Sequence, residues 1–144
     1  MNRSQELVLT YAAMPELQSV SFSVLAKHGR VYMQDAKLKG AHNQQCFMNA
    51  YQYAERHDLF YVEGYAMPNG LIPLSHAWCV DKEGVIHDPT WDHADDYFGV
   101  PFYLDTVQEI LQETGYYGIF DNLYMLRGRT VEEVTKLLTE GVIT

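Results

Sequence analysis

Basic side chains are scarce in this chain. Its 144 residues carry ten lysines and arginines against nineteen aspartates and glutamates, a formal net charge of −9. A surface of that sign repels a phosphate backbone and an anionic lipid face, so neither nucleic acid nor a membrane surface is expected as a partner. Long apolar runs are missing as well: nothing approaches the roughly 20 consecutive apolar residues of a membrane-spanning helix. The N-terminal stretch MNRSQELVLTYAAMPELQ also lacks the apolar centre of a signal peptide. A cytoplasmic location is the expectation. There are only two cysteines, Cys46 and Cys79, which without an export signal read as thiols rather than a disulfide framework. Repeats, low-complexity tracts and linker-like segments are absent too. What is present is a 47% apolar, 20% charged composition, that of a folded chain, and 1–144 is read as a single domain large enough to bury its own core.

Ser4 to Met14 reads as a short helix that Pro15 stops, with Ser4 as its cap. The segment from Ser19 to Lys39 has no clear period, although Gly29 to Gln34 has the composition of a short strand. From Cys46 onward, Phe47, Ala50, Tyr51 and Ala54 recur at helical spacing as far as Asp58. Leu59 to Ala66 reads as a strand, followed by a turn at Met67-Pro68-Asn69-Gly70, and further strands run over Leu74 to Val80 and Val85 to Thr90. Trp91 to Val100 reads as an acidic loop. Asp105 can cap a helix that Gly115 ends, with Val107, Ile110 and Leu111 inward, and Thr130 with Glu133 has capping-box spacing for a last helix. This order predicts an α+β domain in which helices pack on a small antiparallel sheet.

The stretch Ser75 to Trp91, SHAWCVDKEGVIHDPTW, carries the chemistry. If Gly84 takes the left-handed conformation in a three-residue loop, Asp81 lies opposite Val85. His76, Trp78, Ile86, Asp88 and Thr90 then project from one side of the sheet, with His76 and Asp88 as diagonal neighbours. A carboxylate bonded to one imidazole nitrogen fixes the tautomer and leaves the other nitrogen for a reacting partner. Cys46 is the candidate partner. A thiol in a first helical turn feels the positive end of the helix dipole, and with an imidazolium beside it a thiolate near neutral pH is expected. Cys79 belongs on the opposite face, in the core.

With the quoted residues in place, the chain resembles the transglutaminase-like branch of the papain-like cysteine enzymes. Cys46 at a helix start, Gly64-Tyr65 in the next strand, His76-Ala77-Trp78 and Asp88-Pro89-Thr90 match that family's order position by position. The match spans Gln44 to Trp91, a third of the chain. The resemblance implies a papain-like core with a catalytic helix on the sheet, and a Cys46, His76 and Asp88 triad. It also implies thiol-dependent acyl transfer through a thioester, by hydrolysis, deamidation or amine transfer, on a protein or peptide side-chain amide, with no cofactor and no metal. Acyl transfer also needs donors for the developing oxyanion: the Cys46 N–H is one, and the side-chain amide of Gln45 or Gln44 is the second. Trp78 packs beside the triad or walls the cleft.

Two readings compete. A scaffold without turnover would be a binding or inhibitor protein whose acidic surface engages a basic partner. Alternatively, His87, Asp92, His93, Asp95 and Asp96 would serve a metal-dependent hydrolase, although neither a calcium-loop spacing nor a His-Glu-x-x-His helix is present. The substrate, and the oligomeric state, are left open by the sequence.

Overall fold

A computed structural model describes residues 2–13, 20–32, 45–68, 72–92, 94–120, 122 and 124–144. The architecture is α+β. In chain order the elements are α1 (Arg3–Ala12), α2 (Val20–His28), β1 (Arg30–Tyr32), α3 (Cys46–His57), β2 (Phe60–Met67) and β3 (Leu74–Val80), then β4 (Ile86–His87), β5 (Asp96–Phe102), α4 (Leu104–Thr114) and α5 (Val131–Gly141). The strands form one sheet in the order β1-β5-β2-β3-β4, every pair antiparallel. Among the described residues no helix is long and apolar enough to cross a membrane.

The sheet has two different faces, because side chains alternate along each strand. On one face Tyr61, Ala77, Cys79, Phe98, Val100 and Phe102 pack with residues from all of α1 to α5. On the other, Val62, Ala66, Trp78, Ile86 and Tyr97 form a second cluster roofed by Ala94 and Trp91, which lie outside the strands. His76 belongs to this second, loop-covered face.

The β3-β4 hairpin has the expected register. Cys79 pairs with His87 and Val80 with Ile86, the Asp81 N–H donates to Val85 O at 3.0 Å, and Gly84 has φ 82°. The second hairpin strand, expected through Thr90, ends at His87. Asp88 accepts the N–H groups of Thr90 and Trp91 on Oδ1, and Pro89 has no N–H to give, so the chain turns inward instead of extending the ladder.

Three other expectations are corrected. Ser4 is not the first helix's cap: Asn2 is, accepting the Gln5 N–H, while Ser4 is buried and donates its hydroxyl to Asp96. Tyr103, not Asp105, occupies the N-cap of α4, and Asp105 lies in its first turn. The acidic loop expected over Trp91 to Val100 gives way at Asp96 to β5, which is buried along its whole length between β1 and β2. Gly99 and Pro101 hide this strand from pattern reading. The Ile143 N–H donates to Pro101 O, so the backbone of Pro101 faces away from β2 and its missing N–H removes no bond from that ladder. The ambiguous Ser19 to Lys39 segment holds α2 and β1, and the residues after Tyr32 lie outside the described ones. The expected capping box of α5 is present at Thr130 and Glu133, and Gly115 ends α4 with φ 79°.

Gly64 and Gly99 pair with each other across β2 and β5, in line with His76 on β3. A Cβ on Gly64 would stand 2.2 Å from Phe98 O, and one on Gly99 would meet the Trp78 ring at 2.8 Å. The bare row thus gives the aromatic layer its floor. Gly64→Ala should destabilise the protein by about 3 kcal/mol in urea titration, the cost of forcing a methyl group into filled space. A change below about 0.5 kcal/mol, the ordinary surface level, would show that the strands can part there.

Candidate functional site

His76 and Asp88 are both fully buried, with Nε2 of the imidazole 2.8 Å from Asp88 Oδ2. Burial is the largest influence on Asp88 and opposes its charge, but the bonds to His76 and to the Trp91 and Thr90 N–H groups outweigh it and hold the carboxyl below the usual aspartate range. An ionised Asp88 is an acceptor only, so His76 donates to it from Nε2. Nδ1 is buried and has no hydrogen-bond partner among the described residues. Tyr97 completes the carboxylate's surroundings by donating its hydroxyl to Oδ2 at 2.9 Å. Trp91 lies flat on the imidazole, centroids 3.6 Å apart and planes 6° from parallel.

Cys46 is the first residue of α3, with 8% of its surface exposed. Its sulfur takes backbone hydrogen bonds from Phe47 and from Ala77, the residue after His76. One turn further along α3, Asn49 donates to Thr90 Oγ1 at 3.0 Å, which ties the helix to the turn that holds Asp88. β4 pairs only with Cys79 and Val80, so the edge of β3 beside Ala77 is open to the head of the helix. The first backbone bond of α3 runs from the Asn49 N–H to Gln45 O; the earlier N–H groups, Cys46's included, lack helical acceptors.

The thiolate expected near neutral pH is not what this environment favours. Burial pushes the Cys46 thiol up to about 11, and the charges of Glu63 and Asp88 add to it, against the pull of the Ala77 and Phe47 amides. The helix terminus is outweighed by desolvation. Cys46 at neutral pH is therefore a thiol.

The other expected residues divide. Gln45 is the exposed N-cap of α3 and makes no capping bond with its side chain; Gln44 lies outside the described residues. Trp78 does not wall a cleft. It is fully buried, edge-on to Tyr97 at 4.9 Å and to Tyr32 at 6.0 Å, because the Gly64-Gly99 row draws it down onto the sheet. Cys79 is in the helix-side core, donating to Ala50 O at 3.1 Å. In the acidic run, His87 faces Asp81, Nε2 to Oδ2 3.1 Å. Asp96 caps α1 through the Arg3 and Ser4 amides, so these side chains diverge. His93 lies outside the described residues.

No family model matches the chain, and neither a curated protein nor a solved structure does. The site stands on its geometry.

Three residues escaped sequence reasoning. Trp91 had a signal, since it directly follows Asp88-Pro89-Thr90. Tyr97 had none, because its strand was not recognised. Glu63 is a fully buried carboxylate in an apolar strand; it accepts the Tyr61 hydroxyl at 2.5 Å, the Ile119 N–H at 2.9 Å and the Phe120 N–H at 2.7 Å. It thereby fastens the segment after α4 to β2. A lone Glu among strand residues was the available signal.

The raised Cys46 value has a consequence for stability. A group whose folded pKa lies above the unfolded one stabilises the fold fully below the unfolded value, here 9.0, and that contribution is lost as pH rises through about 11. Cys46→Ala should therefore lose less stability than the parent between pH 8.5 and 11 in urea titrations, by at most about 3 kcal/mol for a two-unit difference. Parallel curves for the two proteins would show that the thiol titrates normally.

Proposed function

We propose that the protein is a thiol-dependent acyl-transfer enzyme of transglutaminase-like, papain-like type, acting through Cys46, His76 and Asp88. The observation that carries this reading is the buried His76 Nδ1, which has no hydrogen-bond partner among the described residues. A carboxylate fixes the opposite nitrogen, and Nδ1 has no partner of its own on the strand whose next residue bonds the Cys46 sulfur. An imidazole so held is a general base in search of a proton, and a thiol is at hand.

In the proposed cycle the Cys46 sulfur attacks the carbon of a side-chain amide while its proton passes to His76. Because the thiol is held protonated at rest, the thiolate-imidazolium pair is a minor form, reached as the proton passes to His76. The oxyanion is met by the Cys46 N–H, with Gln45 or Gln44 as the second donor. The C–N bond breaks, the leaving nitrogen takes the proton from His76, and a thioester remains. Water, deprotonated by the same imidazole, then releases the acid and restores the thiol; an amine in its place gives transfer. Asp88 stabilises the imidazolium formed midway. Trp91, stacked flat on the ring, shields the His76-Asp88 bond from water.

The second reading, a binding or inhibitor protein that keeps the scaffold without turnover, is favoured by the burial of Cys46 and by its raised thiol. Iodoacetamide separates the two. In the enzyme, Cys46 is alkylated at neutral pH far faster than a thiol titrating near 11 allows, and His76→Ala abolishes the excess; in the binder the rate simply follows the thiol and ignores His76.

Turnover is read as a gain of about one dalton on candidate protein or peptide glutamines, the mass change of an amide becoming an acid. Cys46→Ala and His76→Ala should each lower the rate by about 1,000-fold or more, whereas Asp88→Asn should retain a measurable residue because the nucleophile survives a lost tautomer. Equal rates in all three and the parent would refute the mechanism.

A further inference from the structure

Asp88 Oδ2 serves two donors at once, His76 Nε2 at 2.8 Å and the Tyr97 hydroxyl at 2.9 Å, while Oδ1 is occupied by two backbone amides. Tyr97 comes from β5, on the far side of β2 from His76, and is 1% exposed. Its ring is fixed edge-on to Trp78 at 4.9 Å, so the hydroxyl reaches the carboxylate from a rigid mount. Resting on the reading of Cys46 and His76 as a working pair, we propose that Tyr97 is a positioning residue for that pair: by sharing Oδ2 it holds the carboxylate in line and weakens its pull on the imidazole proton. Burial and the Asp88 charge push the Tyr97 hydroxyl well above the ordinary tyrosine range, so it remains a donor throughout the pH range in which the pair works.

The role follows from charge. A carboxylate oxygen that accepts one strong hydrogen bond is a poorer acceptor for a second. Removing the Tyr97 hydroxyl concentrates the Oδ2 charge on the His76 N–H, which makes the imidazole a stronger base toward Cys46. Among the described residues, the other titratable groups around the pair are Glu63 from β2, which raises Cys46, Tyr61 from β2, which feels Cys46, Cys79 from β3, which feels the Asp88 charge, and Tyr32 from β1, which packs on Trp78. The carboxylate of Glu63 is taken up by the Tyr61 hydroxyl and the Ile119 and Phe120 amides on the helix side of the sheet, so the Asp88-Tyr97 contact can be altered without disturbing that carboxylate.

Iodoacetamide alkylation of Cys46, followed on its own peptide by mass spectrometry between pH 4 and 9 with the intact protein, tests the role. The reacting form is thiolate with imidazolium, an isomer of thiol with imidazole that carries the same number of protons. The sulfur-carbon bond forms, iodide leaves, and the imidazolium returns its proton to water. At low pH, where both groups are protonated, the rate depends on the thiol alone. On the plateau it depends on the ratio of the two isomers, and so on the basicity of His76. Tyr97→Phe, which keeps the ring, should leave the low-pH limb superimposed on the parent's and raise the plateau about threefold to tenfold. The midpoint should move to higher pH by the logarithm of the same factor. Site-specific 3-fluorotyrosine at position 97, a stronger donor, should do the reverse.

An unchanged Tyr97→Phe profile, or one lowered at every pH with its midpoint in place, would overturn the proposal and leave Tyr97 a packing residue. Should Tyr97→Phe fail to fold, the fluorotyrosine protein decides: a lowered plateau supports the role and an unaltered one refutes it. His76→Ala separates the two levels of inference. If it leaves Cys46 alkylation unchanged, the enzyme reading falls. If it removes the neutral-pH plateau while Tyr97 substitutions do nothing, only the role of Tyr97 falls.

Discussion

Four donors converge on the carboxylate of Asp88, and the candidate site depends on their being there together. The Thr90 and Trp91 amides hold Oδ1, while His76 and the Tyr97 hydroxyl hold Oδ2. A fully buried carboxylate without such partners would take up a proton or draw in water. With them it stays charged in a dry aromatic layer, and its charge is spent on orienting one imidazole. The same bonds end β4, turn the chain back over the sheet, and lay Trp91 on the ring whose nitrogen they fix. Local backbone geometry and the chemistry of the site are one arrangement.

The dry surroundings act against the nucleophile. Desolvation that strengthens the His76-Asp88 bond also disfavours a thiolate at Cys46, and two buried carboxylates near the sulfur add to the effect. Helix-terminal amides are too weak to reverse it. In the proposed enzyme the thiol stays protonated until a substrate supplies a carbon to attack. That limits idle oxidation, since the thiolate is the form that oxidants meet. It also places the burden of reactivity on His76, and through Asp88 on Tyr97.

Cys46 and His76, the proposed nucleophile and base, come from opposite sides of the sheet. Cys46 heads a helix on the face where all five helices pack, whereas His76 projects from the face covered by loops. β4 pairs only with Cys79 and Val80, which leaves the edge of β3 at Ala77 to the head of α3. The Asn49-Thr90 bond spans the same gap from helix to loop. Beneath the aromatic layer, Gly64 and Gly99 let β2 and β5 approach and leave room for the Trp78 ring. A strand that looks weak by composition is thus central because its glycine and proline fit places where a side chain or an N–H would be in the way.

Residue order alone determined the local pieces: the helix opening at Cys46, the hairpin register set by Gly84, the side of the strand shared by His76 and Asp88, and the capping box of the last helix. Each of these rests on alternation, helical period or turn chemistry within about 15 residues, where the chain carries its own geometry. Only the tertiary structure decided which residues complete the site. Tyr97 reaches Asp88 from a strand disguised by Gly99 and Pro101. Glu63 is satisfied by amides 56 and 57 positions away. The protonation of Cys46 follows from burial that no nearby residue announces. Those are properties of what the fold excludes and brings together, and a one-dimensional pattern has no term for either.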